Sequence, residues 1–553
     1  MNGKKRLSAA AAALVCVLAF AATAFAGSLA GRQAKGLRNY EPYTAVQMKR
    51  AGINPADAEP LLEKGLAASP DFPPVYFQLA RESLRHLPDG FSKWVYYSVE
   101  GIRAYGRNWW WSLSLSGLVT ASLAASFVGS LLLTVLLRLP REFPLLKHDT
   151  EENPLHLFVW LGMLVISVFF GAAFFLGTLL MLLGLYFGKR DRLLVYLALA
   201  ALVFLPAASG WLKALSSDSS TELRAVTAVN EARGDSLALS ALANSTDFEG
   251  AFSYGLALKR EGRLNNAVSA FSTALRNSGG KDTRAYVDLA NCYQLLGNSS
   301  SAQQLYESSI AIRPNAEAFY NLALLNRKKF NFEKGDELFK QALKLAPGKV
   351  SAFSSYAEGA PDAPMDSTLG FNDFYRLLLG PHRIAWMAPQ SYAAILWMLV
   401  FAFYARAGKL KAFRCSRCGK VLCYGCEGET YWGRMCGDCY RSLVKLEALD
   451  PKERVSRLLK IHGYQLKRGG LIRALSFAPP GIAYIYAGNV LQGMLMLWVF
   501  LFAVGLLVLN PLFTTGLSLM DHGWLDYAAW GTAAILYLVS FAGIRRRQGK
   551  GWL

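Results

Sequence analysis

Six long apolar runs are the feature that most limits the folds open to this chain. They occupy residues 109–137, 155–187, 193–212, 390–405, 475–509 and 525–544. A helix of about 20 apolar residues spans the hydrocarbon core of a bilayer, and each of its backbone polar groups is satisfied internally. The sequence is 53% hydrophobic with a mean hydropathy of +0.23, which is too apolar for a purely soluble protein. We therefore expect a mainly α, multi-pass helical membrane protein.

The apolar runs divide the chain into membrane and non-membrane parts. We assign residues 109–212 to transmembrane helices, residues 390–405 to one more such helix, and residues 475–544 to a transmembrane hairpin. The run at 155–187 is too long for one span, and Gly171 and Gly177 would mark a tight hairpin inside it. Small residues at Gly481, Gly488 and Gly493 would permit close helix packing in the last hairpin.

The N-terminus has the pattern of a signal sequence. Basic residues Lys4, Lys5 and Arg6 precede an apolar stretch, and Ala24-Phe25-Ala26 forms a small-residue cleavage site. We predict that residues 1–26 are a signal sequence or, alternatively, an uncleaved anchor. In either case we expect the residues that follow to be exported. A bacterial inner-membrane protein is the simplest interpretation of this pattern.

A repeat of about 34 residues runs through the polar region 213–350. Small and aromatic residues recur in three copies: Gly262, Ala267, Phe271 and Ala274; Gly297, Ala302, Tyr306 and Ser309; Ala323, Gly335, Phe339 and Ala342. Pro314 and Pro347 close the second and third copies. Helical pairs at this period are typical of a solenoid in which small residues let one helix approach the next. The third copy has Phe330 where the first two have glycine.

This segment resembles the tetratricopeptide repeat family, most strongly in its second and third copies. The resemblance implies an α-solenoid whose concave face binds a protein or peptide ligand. The family's groove positions fall here on Phe252, Lys259, Arg260, Asn291, Tyr320, Arg327 and Lys328. The alternative is a solvated helix face. Residues 27–108 read as a degenerate helical repeat region, and residues 351–389 as a cap or linker.

Six of the eight cysteines lie within 25 residues, as Cys415, Cys418, Cys423, Cys426, Cys436 and Cys439. They form three C-x-x-C pairs, and each pair supplies two thiolates from one tight turn. Zinc takes four such ligands in a tetrahedron. We expect residues 406–445 to fold as a small zinc-bound α+β module, and a closed site of four thiolates leaves no position for a reacting water.

The cysteine segment resembles the later part of the FYVE zinc finger, although Arg417 stands one place later than the family's arginine. That family binds two zinc ions in a crossed arrangement. The resemblance implies that Cys415, Cys418, Cys436 and Cys439 share one zinc, and that Cys423 and Cys426 belong to the other. The family's preceding C-x-x-C pair is absent, so we expect one zinc; Cys423 and Cys426 then hold nothing, pair as a dithiol or complete a site in a dimer. The family's basic-histidine lipid motif is absent too, so phosphoinositide binding does not carry over.

Charge gives an orientation for the chain. The formal net charge is +20, which in a membrane protein indicates contact with anionic lipids rather than nucleic acid. Residues 406–474 carry 16 Lys or Arg against 6 Asp or Glu, and the 545–553 tail is basic too. Positive loops and zinc-binding thiols both favour the cytoplasm, so the module and the basic helical linker at 446–474 belong there. The repeats then lie in the periplasm, whereas a signal sequence plus three crossings would leave them in the cytoplasm.

We find no G-x-S-x-G, P-loop, dinucleotide or H-E-x-x-H motif in the sequence. The expected function is a non-enzymatic inner-membrane scaffold, acting in assembly of an envelope complex. Two alternatives are a zinc- or redox-responsive membrane signalling protein and a membrane-embedded transferase. The transferase would need ionisable residues inside the spans, and the apolar runs contain almost none.

Overall fold

The computed structural model places most of the chain in helices. It describes residues 36–86, 88–152, 154–216, 221–231, 235–355, 362–365, 369–379, 387–407, 412–423, 435–444, 451–513 and 523–549. The predicted signal sequence at 1–26 and Cys426 lie outside these ranges. The chain divides into two compact units, the first containing residues 1–115, 214–382 and 514–521, and the second containing the remainder.

The helices are numbered in chain order. The first four are α1 Glu41–Ile53, α2 Ala58–Ala68, α3 Pro73–Ser83 and α4 Phe91–Arg107. The next four are α5 Trp109–Glu152, α6 Pro154–Phe169, α7 Ala172–Gly184 and α8 Arg192–Ser216. The repeat region holds α9 Thr221–Asn230, α10 Asp235–Leu242, α11 Phe248–Arg260, α12 Leu264–Asn277, α13 Thr283–Leu295, α14 Ser299–Ile312, α15 Ala316–Lys328, α16 Phe332–Leu345, α17 Pro347–Ser355 and α18 Phe371–Leu379. The last six are α19 Pro389–Ala407, α20 Gly437–Leu443, α21 Pro451–Leu475, α22 Ile482–Ala487, α23 Val490–Phe513 and α24 Gly523–Gly549. Strands β1 Phe413–Arg414 and β2 Val421–Leu422 pair antiparallel.

The first unit is built from helical hairpins. Helices α1 with α2, and α3 with α4, form two pairs in the region predicted to be a degenerate repeat. The pairs α9–α10, α11–α12, α13–α14 and α15–α16 follow. Residues before α5 pack on the repeats: the backbone N–H of Arg38 donates to the carbonyl of Asn230 (3.1 Å), and Asn108 Nδ2 donates to Glu231 (2.9 Å).

The repeat pairs form because small residues alternate with large ones. Ala267 and Ala274 on α12 are fully buried, and so is Phe271 between them. Phe271 packs against Gly255 of α11, where an added Cβ would lie 2.7 Å from the ring. In the next pair, Tyr306 of α14 occupies the corresponding buried position. The predicted periodicity is therefore the packing period of the solenoid.

Side-chain caps set where several repeat helices begin. Asp247, Asp282, Asn298 and Asn315 each accept a hydrogen bond from a backbone N–H in the first turn of α11, α13, α14 and α15, respectively. Such caps satisfy otherwise unpaired N–H groups of the helix terminus.

The second unit contains most of the apolar sequence. Among the described residues, four helices are long and apolar enough to cross a membrane: Trp110–Glu151, Arg192–Ala214, Val490–Leu512 and Trp524–Gln548. The predicted span at 390–405 forms α19, which is not one of these four. The run at 475–509 is interrupted by the short α22 before α23 begins.

The run at 155–187 turns back on itself. Helix α6 ends at Phe169, and Gly171 adopts a φ of 97° before α7 starts at Ala172. Gly177 does not form part of the turn; it lies inside α7 against Leu202, whose methyl would stand 2.4 Å from an added Cβ.

Two glycines bring α22 and α23 into backbone contact. A Cβ on Gly481 would lie 2.0 Å from the Gly493 carbonyl oxygen, and a Cβ on Gly493 would lie 2.7 Å from the Gly481 carbonyl oxygen. Gly488, at the C-terminal end of α22, has a φ of 111°. Three arginines then donate to carbonyls of the last turn of α22: Arg138 to Ile485, Arg141 to Tyr486 and Arg468 to Ala487. Cations at a helix C-terminus satisfy its unpaired carbonyls.

Candidate functional site

Four cysteine thiols meet at one point of the second unit. The Sγ atoms of Cys415, Cys418, Cys436 and Cys439 all lie within 4.8 Å of one another, and no disulfide joins them. The Cys418 and Cys436 sulfurs are 3.7 Å apart. A tetrahedral zinc with Zn–S bonds of about 2.3 Å requires sulfurs about 3.8 Å apart. The arrangement therefore fits a four-thiolate metal site.

Local structure delivers the four thiols in two pairs. Cys415 and Cys418 lie in the turn between β1 and β2, where Gly419 has a φ of 77°. Cys436 is the N-cap of α20, and its Sγ accepts a hydrogen bond from the backbone N–H of Cys439 (3.4 Å). One pair therefore comes from a hairpin and the other from the start of a helix.

The surroundings of the thiols favour a thiolate at Cys415. Burial opposes its ionisation, but backbone N–H donors, including that of Cys436 at 3.4 Å, hold the pKa of the Cys415 thiol at about 7. Burial raises the pKa of Cys436 to about 11. A bound cation would stabilise all four thiolates, since a coordinating thiol is deprotonated.

Of the third predicted cysteine pair, the structure describes only Cys423. Cys423 is buried after β2 and is not one of the four clustered thiols, and its partner Cys426 is outside the described residues. The cluster is held from other elements: Ile461 of α21 packs into its core, and Tyr464 of α21 covers Gly419. The N–H of Ala412 donates to Asp149 of α5 (3.1 Å).

The repeat groove is the second candidate site. Four polar side chains of α11, α13 and α15, called here the groove floor, converge on its inner face: Lys259, Asp288, Asn291 and Asn321. The chain's own residues 362–365, with the sequence Asp-Ala-Pro-Met, lie on this floor.

The floor holds the 362–365 segment through its backbone. Asn321 Nδ2 donates to the Ala363 carbonyl (2.8 Å), and Asn321 Oδ1 accepts from the Ala363 N–H (2.7 Å). Asn291 Nδ2 donates to the same carbonyl (3.2 Å). The Met365 N–H donates to Asp288 Oδ2 (3.1 Å), and Lys259 forms an ion pair with Asp362. These contacts would recognise a peptide that has an extended backbone and one acidic side chain.

The floor residues also support one another. Asn321 Nδ2 lies 2.9 Å from Asn291 Oδ1, which also accepts from the Tyr306 hydroxyl (2.6 Å). Lys259 Nζ lies 3.6 Å from Asp288. Buried polar groups are costly without partners, so a network of this kind fixes the position of each side chain.

Electrostatics in the floor reflect burial and one shared cation. Burial raises the pKa of Asp288 to about 7, and nearby Lys259 opposes this rise. Burial disfavours charge on Lys259 too, but the carboxylates of Asp362 and Asp288 hold the pKa of its ammonium above the usual value.

Of the seven residues predicted to line the groove, Lys259 and Asn291 contact the 362–365 segment, and Tyr320 shares a buried cluster with Ala363. The assignment of Phe252 needs correction: it is fully buried against Phe271, because it fills the gap between α11 and α12. Arg260 is also not available to a ligand, since it donates to the carbonyls of Val229 and Gly36.

The last two predicted residues lie at the C-terminal end of α15. Arg327 pairs with Asp336 (2.7 Å) and covers the Phe339 ring, so it faces α16 rather than the floor. Lys328 is exposed to solvent.

Sequence reasoning missed Asp288 and Asn321. They occupy equivalent positions 33 residues apart, in Asp-Leu-Ala and Asn-Leu-Ala. The signal in the sequence was a polar residue at the same position of two successive repeats, on a helix face that otherwise consists of small apolar residues.

Comparison with known families identifies part of this unit. The tetratricopeptide repeat family model matches residues 283–315 and 316–349. These two segments are tetratricopeptide repeats. They correspond to α13–α14 and α15–α16, the copies in which the predicted pattern is strongest. No curated protein matches the chain.

Proposed function

We propose that this protein is a non-enzymatic membrane scaffold whose tetratricopeptide repeats bind a protein partner in the assembly of an envelope complex. The observation that carries the proposal is the repeat groove, whose buried polar floor is arranged to hold an extended peptide backbone. Main-chain hydrogen bonds of this kind supply affinity in peptide recognition, and neighbouring pockets supply specificity. The groove contacts hold and orient a ligand and require no chemical step.

We infer that the four-cysteine cluster binds zinc as a structural ion. Thiolate ligands, tetrahedral spacing and a closed set of four are typical of structural zinc. In this role the ion links the β1–β2 hairpin to α20, two small elements with little apolar core of their own.

The proposed location is a bacterial inner membrane, with the repeats in the periplasm and the cysteine module in the cytoplasm. Packing supports an even number of crossings between α4 and α9, because residues 36–108 and the repeats bond to one another and must share one side. Helices α5 and α8 are long and apolar enough to supply two crossings. At 16 and 13 residues, α6 and α7 are shorter than the roughly 20 residues of a full span, so their hairpin returns to the side it left.

Photo-crosslinking in cells tests the scaffold role. A photoreactive residue at exposed Lys328 is expected to give one protein adduct, the same in independent cultures, whereas the same residue at Lys452 of α21 gives none. No adduct at Lys328, or the same adduct at both positions, contradicts the proposal.

A further inference from the structure

The repeat groove contains a ligand that the chain itself supplies. The 362–365 segment is buried on the floor: Asp362 is 7% exposed and Ala363 is fully buried. Its contacts reach across three helices, from Lys259 on α11 to Asn321 on α15. The segment is thus bound as a peptide partner would be, in the place where a partner would bind.

The contacts define what such a peptide must contain. An acidic side chain is read by Lys259, the one cation of the groove floor. The next residue must be small, because Ala363 lies in a closed cluster with Tyr320, Val350 and Phe353. The floor pairs with both backbone groups of that residue, so it requires an extended chain there.

Proline suits the third position for a physical reason. Pro364 has no N–H, and the hydrogen bonds to the floor come from the residues on either side of it, Ala363 and Met365. Pro364 is buried and also lies beside Gly36, whose added Cβ would stand 3.2 Å from the proline ring. Proline therefore adds no backbone donor at this position, and the donors of the residues on either side of it both have partners on the floor.

We propose that the groove recognises an extended acidic–small–proline peptide of a partner protein, and that residues 362–365 occupy it in cis until that partner displaces them. The inference rests on the proposed scaffold function and specifies its ligand. A partner must compete with a segment tethered to the same chain. Its apparent affinity is therefore the intrinsic affinity multiplied by the fraction of chains whose groove is free.

The test uses the full-length chain in detergent and a fluorescent peptide of residues 358–367, Glu-Gly-Ala-Pro-Asp-Ala-Pro-Met-Asp-Ser. In the released variant D362K/A363E, a lysine faces Lys259 and a glutamate replaces the buried alanine, so the cis segment cannot bind. We expect fluorescence anisotropy to show at least tenfold tighter peptide binding to the released variant than to the wild type. The control E307K, at an exposed position of α14, should bind the peptide as the wild type does.

A second substitution assigns the binding to the floor. Adding Asn321→Leu to the released variant removes both Asn321 hydrogen bonds to the peptide backbone while keeping a side chain branched at the same carbon, and should weaken binding at least tenfold. A peptide with lysine at the position of Asp362 should bind equally poorly. Circular dichroism establishes that each variant is folded.

Three results overturn the inference: a folded released variant that does not bind the peptide, equal binding by wild type and released variant, or no effect of Asn321→Leu. The scaffold function has a separate test. An adduct at Lys328 without peptide binding rejects only the ligand assigned here, whereas peptide binding without any adduct rejects the cellular role.

Discussion

At the scale of single residues, Phe330 carries strain that the other two copies avoid. Its φ is 65°, and the corresponding turns have Gly262 at 77° and Gly297 at 84°. A side chain in this region of the backbone costs roughly 1 kcal/mol or more, and glycine does not bear that cost. Phe330 is 82% exposed, so removing its ring gives up little burial.

We therefore expect Phe330→Gly to stabilise the third repeat by about 1 kcal/mol. Hydrogen exchange of α15 and α16, measured by mass spectrometry in the full-length chain, should slow. Gly297→Phe is the matched control and should accelerate exchange in α13 and α14. Faster exchange in the Phe330→Gly protein would show that the ring contact with Phe332 matters more than the strain.

Asp288 gives the repeat unit a dependence on pH. Its folded pKa is about 7, above the usual value of 3.8, so the folded state keeps a proton that the unfolded chain has lost. Through this group, the free energy of unfolding falls as pH rises from about 4 to about 7. The charged groups acting on it are Lys259 and Asp362, and Lys259 keeps its charge throughout this range.

Asp288→Asn removes the titration but keeps an oxygen that accepts from Met365. The difference in α13 protection between wild type and variant, corrected for intrinsic exchange, should change with pH below 7 and level off above it. A pH-independent difference would mean that Asp288 is ionised throughout the range.

Asp288 and Asn321 also show what local sequence could not reveal. The repeat period follows from residues about 34 apart, because each copy packs by the same small and aromatic side chains. The groove occupant lies 42 residues beyond Asn321 and has no periodic relation to it. The groove positions carried over from the family assume an open concave face. They therefore predicted ligand contacts for Phe252, which packs inside the solenoid, and for Arg260, which bonds to backbone carbonyls.

At the scale of elements, we expect the cysteine module to depend on the proposed zinc ion. Residue spacing predicts three local C-x-x-C pairs, and the resemblance to the FYVE finger implied which two of these pairs meet. The two-residue strands and the seven-residue α20 are too short to be stable alone. In the proposed zinc-bound state, metal binding would supply much of their folding free energy.

Cys436→Ser should abolish the bound zinc, measured as metal per chain by mass spectrometry of the purified protein. Cys292→Ser is the control, because Cys292 is buried on α13 of the first unit and is not one of the four clustered thiols. We also expect Cys436→Ser to open residues 412–444 to proteolysis. Full zinc content in Cys436→Ser would show that the ion is held elsewhere.

The close contact of Gly481 and Gly493 leads to a prediction about how α22 packs on α23. Gly493→Ala places a methyl 2.7 Å from the Gly481 carbonyl oxygen, so one of the two backbones must move. Overpacking of this kind costs about 1–3 kcal/mol. The melting temperature of the chain in detergent should fall.

Gly531→Ala in α24 is the matched control, because no atom lies within 4 Å of its added Cβ. Alanine is also the better helix former, so this variant should melt at or above the wild-type temperature. Equal effects of the two substitutions would mean that the α22–α23 contact is loose.

At the scale of the whole molecule, packing limits how the chain can cross a membrane. Residues 36–108 bond to the repeats, so an exported N-terminal segment brings the repeats to the same side. Near the other end of α5, Asp149 accepts a hydrogen bond from the backbone N–H of Ala412 in the cysteine module. A chain that enters α5 on the outside and leaves it inside satisfies both sets of contacts. We propose that the inside is the cytoplasm, because residues 406–474 carry more positive than negative side chains.

This topology predicts opposite accessibility for two exposed lysines, Lys328 at the end of α15 and Lys460 on α21. A membrane-impermeant maleimide added to spheroplasts should label Lys328→Cys and should leave Lys460→Cys unlabelled until the membrane is permeabilised. The wild-type chain gives the background from native cysteines. Labelling of both positions before permeabilisation, or of Lys460→Cys alone, would reverse or remove the assignment. If Lys460→Cys alone is labelled, the peptide partner would have to be sought in the cytoplasm, because the groove and the 362–365 segment lie on the same side of the membrane as the repeats.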